Sequence, residues 1–346
     1  MESAVRANAS DIHITVGVPP IFRINGKLQY FGDNPLTPSD TEYCKNEILN
    51  EYQKGQLKKY GQCDFSFSLP ELARFRINAY KQRGCYALAI RIIRIYPPTL
   101  DQLGLPNSLK ELALKSRGLI LVTGPAGSGK STTLAAMINH INQNKNCHII
   151  TLEEPIEYFH THNKSIINQR EIGIDCLTFS EALRAALRED PDVIMVGEMR
   201  DLDTITTVIT AAETGHLVMS TLHTNNAEQT IDRIIDSFPP HQQLQIKTQL
   251  AGVLEGVISQ QLLPMKNVQQ RIVALEILLV NNAIRNLIRE GRTHQIPTVI
   301  QTGIKYGMRS MDYSLAELVK KKLISYETAI EKAVNKELLL QYIKPN

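Results

Sequence analysis

Polar and apolar positions alternate through much of the first ninety residues. Asp11-Ile12-His13-Ile14-Thr15-Val16 has the period of a half-buried strand. Ile21-Phe22-Arg23-Ile24 follows, and Asn25-Gly26 predicts a hairpin turn because both residues accept positive φ. Asp64 to Ser68 and Arg74 to Tyr80 alternate again, and the isoleucine-rich stretch from Cys85 to Ile95 predicts a last strand. Between them, residues 41–60 have helical composition without internal proline. This half predicts a small α+β domain.

The pattern changes after Tyr96-Pro97-Pro98-Thr99, whose prolines favour an extended chain and mark a linker. Compact apolar runs then alternate with helical stretches. Leu119 to Val122, His148 to Ile150, Val193 to Val196 and Leu217 to Met219 fit strands buried on both faces of a parallel sheet. Thr178-Phe179-Ser180-Glu181 reads as a capping box opening a helix. Residues 242–343 read as mostly helical. Alternating β and α predicts a doubly wound sheet with its site at the strand carboxyl ends.

Composition narrows the class. A length of 346 residues suggests two domains at about 150 residues each. With 38 Lys and Arg against 35 Asp and Glu, the net charge of +3 gives little support to a nucleic-acid partner. No apolar run approaches a bilayer span, and the first residues lack the apolar core of a secretory signal, so neither membrane insertion nor export is expected. Five widely spaced cysteines without a C-x-x-C pair disfavour a disulfide framework and a four-cysteine zinc site.

Gly124-Pro125-Ala126-Gly127-Ser128-Gly129-Lys130-Ser131 matches G-x-x-x-x-G-K-[ST] between an apolar strand and the helical stretch beginning at Thr132. Glycines let backbone N–H groups wrap phosphate oxygens, and a helix N-terminus adds positive partial charge. Lys130 is placed to neutralise the β and γ phosphates, and the Ser131 hydroxyl to ligate Mg²⁺. A nucleoside triphosphate is the expected substrate.

Two acidic segments and two histidines accompany the loop. Glu153, Glu154 and Glu157 follow the second strand of this half, where one carboxylate can polarise water and another serve Mg²⁺. Glu198 ends the strand Val193 to Val196 in the manner of a Walker B acid. His216 and His223 bracket the next strand. His223, at the carboxyl end, is the candidate to approach the γ-phosphate. His216 is grouped with the nucleotide-binding residues, or else braces the sheet or a subunit contact.

Together these segments resemble the hexameric ATPases of the secretion superfamily, and within them the retraction ATPases of type IV pili. The resemblance spans nearly the whole chain. It includes Ala9-Ser10-Asp11-Ile12-His13, the loop from Gly124 to Ser131, the acidic box around Glu153 to Glu157, Glu198 and the box from His216 to His223. Ala283-Ile284-Arg285-Asn286-Leu287-Ile288-Arg289-Glu290 resembles the segment associated with retraction. Read alone it is an amphipathic helix with Ile284, Leu287 and Ile288 on one face. At position 154 the chain carries Glu where the family commonly has Asp, and its amino terminus is slightly short.

The resemblance implies an N-terminal PAS-like α+β domain (1–96), a linker (97–103) and a RecA-like P-loop ATPase domain (104–346), assembled as a homohexamer. It implies Glu157 as general base and Glu198 as a carboxylate that helps place Mg²⁺. It implies that Arg76 and Arg91 reach the nucleotide's phosphates. ATP is the implied nucleotide, an inner-membrane pilus platform protein the implied partner, and the cytoplasmic face of that membrane the implied location. Two other readings share the motifs: a type IV secretion ATPase, which the 283–290 segment disfavours, and a RecA-like nucleic-acid translocase. A scaffold that binds nucleotide without turnover is disfavoured by the presence of both Glu157 and Glu198. Lys320-Lys321-Lys322 reads as a solvated helix face.

Overall fold

The computed structural model describes residues 1–69, 72–93, 96–266, 268 and 270–344, with the side chain of Ser68 excepted. The chain divides into two compact units. One comprises residues 1–96 and returns for Glu157–Phe159; the other comprises residues 97–156 and 160–346.

The first unit runs α1 (Glu2–Arg6), β1 (Asp11–Ile14), β2 (Ile21–Ile24), β3 (Lys27–Tyr30), α2 (Pro38–Ile48), α3 (Glu51–Tyr60), β4 (Gln62–Leu69), β5 (Ala73–Gln82) and β6 (Cys85–Ile93). The strands form one antiparallel sheet in the order β3-β2-β1-β6-β5-β4. Alternation sends Phe75, Ile77, Leu88 and Ile90 into a core shared with Leu49 and Leu57 of the helical segment. The opposite face is polar. Arg23, Asp11, Arg91, Arg76 and Ser66 form one row of successive cross-strand partners on it. Asn25 and Gly26 turn the first hairpin at φ 50° and 81°. Arg94 and Ile95, expected to end the last strand, lie outside the described residues.

The helix expected over 41–60 is two helices. Asn50 sits in extended backbone, caps the Gln53 N–H and receives the Gln53 side chain on its own N–H, so α3 starts anew. α2 begins earlier than expected, at Pro38, capped by Thr37.

The second unit runs α4 (Asn107–Ala113), β7 (Gly118–Thr123), α5 (Lys130–Asn144), β8 (His148–Glu153), β9 (Ile166–Glu171), α6 (Phe179–Ala186), β10 (Val193–Val196), α7 (Leu202–Glu213), β11 (Leu217–Leu222), α8 (Ala227–Asp236), α9 (Gln243–Val253), β12 (Leu254–Pro264) and β13 (Arg271–Leu279). Then come α10 (Asn282–Glu290), α11 (Ile296–Thr302), α12 (Met311–Lys320), α13 (Tyr326–Lys332) and α14 (Lys336–Ile343). The sheet order is β13-β12-β7-β11-β10-β8-β9; six strands are parallel and β13 is antiparallel at one edge. β7, β10 and β11 are buried along their whole lengths, as unbroken apolar runs predict. Leu119, Ile120, Leu121 and Val122 are fully buried. At about 1.5–3 kcal/mol each, they make the strand that carries the glycine loop a rigid base for it.

Two expectations for this unit are corrected. The stretch 242–343 is helical in most of its length but carries two strands the pattern did not show: after α9, β12 and β13 pair over nine positions, and Val257, Ile258, Leu275 and Ile277 are core. Glu153 does not follow its strand but ends it. It is buried, accepting from the Thr151 hydroxyl at 2.7 Å and from Gln169 Nε2 at 3.0 Å. Within the expected linker, Leu100 is buried in the core of the second unit. Among the described residues no helix is long and apolar enough to cross a membrane. Lys320, Lys321 and Lys322 are exposed at the end of α12, with Lys321 3.8 Å from Glu317.

Candidate functional site

The glycine loop lies between β7 and α5, and three of its glycines sit at positive φ. Gly124 has φ 141°, and a Cβ there would overlap the Gln260 carbonyl oxygen and stand 2.7 Å from Ser128 Oγ. Gly127 and Gly129 also have positive φ, at 74° and 91°. Gln260, reaching over from β12, is buried and donates through Nε2 to the Ser128 carbonyl at 2.8 Å. Thr123 and Ser259 join the same two strands through buried hydroxyls 2.8 Å apart.

α5 starts at Gly129 without a side-chain cap. The first N–H groups of a helix have no partner within it, and such an end favours an anion. Among the described residues the buried Ser128 hydroxyl has no hydrogen-bond partner. Lys130 donates through Nζ to the carbonyls of Gly124 at 2.9 Å and Pro125 at 3.1 Å. Pro125, Ala126 and Gly127 are exposed, and Ser131 and Thr132 occupy the first turn of the helix. A cavity of about 370 Å³ adjoins the loop, bordered by Gly104, Gly129, Thr132, Gln260, Leu262 and Met265.

Parallel strands bring their carboxyl ends to one edge of the sheet, and there the second acidic segment meets the histidine segment. Glu198 Oε1 lies 3.1 Å from His223 Nε2. Glu198 Oε2 accepts from Arg200 Nε at 2.9 Å, and Arg200 Nη1 reaches Glu154 at 3.3 Å. The Glu198 side chain is 18% exposed, so it is held yet reachable. The Thr221 hydroxyl donates to the Gly197 carbonyl at 2.6 Å and ties the two strand ends together.

Other expected residues fall elsewhere. His216 stands at the amino end of β11, roughly 20 Å along the strand from His223. Its Nδ1 is 2.9 Å from the Ala211 carbonyl oxygen and 3.2 Å from the Thr214 hydroxyl. It braces the turn before its strand and does not join the loop. Glu157 is exposed and belongs with the first unit, as do Arg76 and Arg91. Those arginines are directly opposed on β5 and β6 and line a shallow cavity of about 280 Å³ with Asp11, His13 and Asp64.

Sequence reasoning missed Arg200, Gln260 and Thr221. Arg200 stands two residues after Glu198 and had a readable signal in its charge; Gln260 and Thr221 had none. Among the described residues no three His, Cys, Asp or Glu side chains gather into a metal cage. The oxygens at hand are the Ser131 hydroxyl and the Glu198 carboxylate, and Mg²⁺ takes one or two protein oxygens and completes its shell with phosphate and water.

The profile of the family described as "Type II/IV secretion system protein" matches residues 1–283. The type IV pilus retractation ATPase PilT of Pseudomonas aeruginosa is 46% identical over 330 residues, covering 95% of this chain and 96% of the relative. A twitching motility protein of Neisseria gonorrhoeae is 45% identical over 318 residues, covering 92% and 85%. The crystal structure of the pilus retraction motor PilT with bound ADP matches with a TM-score of 0.91 and 49% identity, covering 98% of this chain and 97% of that one. The two-domain secretion-ATPase fold is thereby shared along essentially the whole length, and the chain belongs to the type II/IV secretion system protein family.

Proposed function

We propose that this chain is an ATP-hydrolysing motor that powers type IV pilus retraction. One observation carries the reading: an intact phosphate cradle, built on an uncapped helix start, in a chain that matches retraction ATPases almost end to end. The retraction-associated segment is present as α10, with Ile284 and Ile288 buried and Asn286, Arg289 and Glu290 exposed.

Each residue has a physical role in this reading. The N–H groups of Gly127 to Ser131 bind the phosphates, and Lys130 exchanges its two carbonyl contacts for phosphate oxygens. Ser131 and Glu198 would hold Mg²⁺. Bound there, Mg²⁺ would neutralise charge on the β and γ phosphates. Glu157 orients the attacking water and takes its proton. His223 sits against Glu198 and senses the γ-phosphate side of the site. Arg76 and Arg91 contact phosphate oxygens of a bound nucleotide. The cavity beside the loop accepts the base between Leu262 and Met265.

The proposed domains are 1–96, PAS-like, and 104–346, RecA-like, with 97–103 between them. Because Leu100 is anchored, hinge motion concentrates at Pro97 and Pro98. Nucleotide shifts the hinge by its different affinities for open and closed states. In a homohexamer at the cytoplasmic face of the inner membrane, successive closures drive a platform protein that withdraws pilin.

The test compares wild type, Lys130→Ala and Glu157→Gln for ATP binding, hydrolysis and particle size. Hexameric wild type hydrolyses ATP, Lys130→Ala fails to bind, and Glu157→Gln binds without cleaving. A monomeric wild type without hydrolysis across magnesium and protein concentrations would defeat the motor reading. In cells, deletion leaves surface pili in place and abolishes twitching; retained twitching rejects retraction.

A further inference from the structure

The segment Ala9–His13 has no role in the mechanism above. β1 sets its Asp11 directly opposite Arg23 on one neighbour and Arg91 on the other, and β5 sets Arg76 opposite Arg91. Three guanidinium groups thus share a row with one carboxylate. The Asp11 side chain is 18% exposed, whereas that of Arg91 is 70% exposed.

Asp11 meets both arginines at their Nε atoms. Asp11 Oδ1 accepts from Arg91 Nε at 3.3 Å. Asp11 Oδ2 accepts from the Ser10 hydroxyl at 2.8 Å and lies 3.6 Å from Arg23 Nε. Arg23 is further committed, donating through Nη1 to the Gly26 carbonyl at 3.1 Å. A guanidinium carries five N–H donors in one plane. Holding Arg91 by Nε alone leaves its pair of terminal amino groups on the outer edge, the geometry that grips a phosphate-class anion through two parallel hydrogen bonds. Without the carboxylate, Arg91 would face two like charges in the same row, and directly opposed like charges in a sheet repel.

We propose that Asp11 is a positioning residue for Arg91: it fixes the Nε edge, neutralises part of the row's charge, and presents the outer edge to a phosphate of the nucleotide. The proposal rests on the reading of Arg91 as a phosphate contact. Asp11 itself does not touch the nucleotide.

Steady-state ATPase kinetics of the full-length protein test this in wild type, Asp11→Ala, Asp11→Asn, Arg91→Gln and the Asp11→Ala/Arg91→Gln double variant. Arg91→Gln is expected to raise KM for ATP about tenfold, the scale of a charge-assisted hydrogen bond. Asp11→Ala raises KM about threefold with kcat within about twofold, the scale of a partly exposed ion pair. Loss of folded protein lowers kcat and leaves KM alone, so the split separates positioning from damage. Asp11→Asn keeps a carbonyl oxygen for Nε and recovers most of the loss. The double variant matches Arg91→Gln because the two residues act as one unit. If Arg91→Gln is impaired while Asp11→Ala is silent, or while the two effects multiply, the positioning role is wrong and the arginine's role stands. If Arg91→Gln has wild-type kinetics, the phosphate-contact reading fails and takes this proposal with it.

Discussion

His223 Nε2 stands 3.1 Å from Glu198 Oε1, although the residues come from different strands and different sequence motifs. The contact exists because β10 and β11 are adjacent and parallel, with Val196 paired to Ser220. Glu198→Gln keeps the shape and loses the charge, and a fall in kcat on the order of 100-fold is expected with ADP affinity nearly unchanged. His223→Ala leaves Glu198 its Arg200 partner, and about a tenfold fall is expected. Single-turnover phosphate release together with ADP titration checks both; equal losses in ADP binding would assign the pair to ground-state binding.

The loop glycines are not equivalent. Gly124→Ala brings a Cβ against the Gln260 carbonyl oxygen at a φ of 141°, and that backbone atom of a paired strand cannot swing aside. A destabilisation of about 3 kcal/mol or more is expected, with loss of nucleotide binding. Gly127→Ala meets nothing within 4 Å and bears only the backbone cost of φ 74°, about 1 kcal/mol. Thermal unfolding with and without ADP separates the two.

Within α10, Arg285 and Arg289 are predicted to behave differently. Arg285 donates to the carbonyls of Ala251 and Gly252 at 2.6 and 2.8 Å and to Glu255 at 2.7 Å, closing the end of α9. Removing it strands these acceptors, and Arg285→Ala is expected to cost about 2–3 kcal/mol. Arg289 is exposed and among the described residues bonds only Asn286 within its own helix, so Arg289→Ala changes stability by less than about 0.5 kcal/mol. Equal losses on denaturant unfolding of the two variants would contradict this. Any retraction defect of Arg289→Ala then reports on the exposed face of the helix rather than on folding.

Burial raises the carboxyl of Glu276 to about 7; the Ala227 N–H it accepts opposes the shift, and Asp312 and Glu228 add to it. The folded state therefore holds a proton that the unfolded chain releases near pH 4.5. Stability from this group falls as pH rises from about 4.5 to 7 and is flat above. Glu276→Gln, which keeps an acceptor for Ala227, is expected to raise stability above pH 7 by on the order of 2 kcal/mol and to flatten that slope. Burial acts oppositely on His160, depressed to about 4, whose stabilisation is present above pH 6.5 and lost as pH falls toward 4. Unfolding curves between pH 4 and 8 read both.

The parts of the site legible in the sequence were those whose chemistry is local. A glycine loop between an apolar run and a helix needs only neighbours in the chain, and β7, β10 and β11 announced themselves as unbroken apolar runs. β12 did not, because Gly256, Ser259 and Gln260 interrupt its pattern. The burial of Gln260 depends on a hydrogen bond to Ser128, 132 residues away. Arg200 was visible as a charge, but its bridge to Glu154 spans 46 residues and exists only once the sheet is ordered. The start of α3 could have been read from Asn50 and Gln53, since that spacing lets each cap the other's N–H. His216 and His223 look alike on paper; strand direction alone sends them to opposite edges.

The return of Glu157–Phe159 to the first unit makes that unit discontinuous, with the Phe159 ring 5.0 Å from the Arg74 guanidinium. A fragment ending at Tyr96 would therefore lack part of its own surface, and a fragment starting at Pro97 would carry the proposed water-activating carboxylate without its native surroundings. Cutting this protein between its two halves yields neither half, and the isolated ATPase portion is expected to be a poor stand-in for the chemistry of the whole.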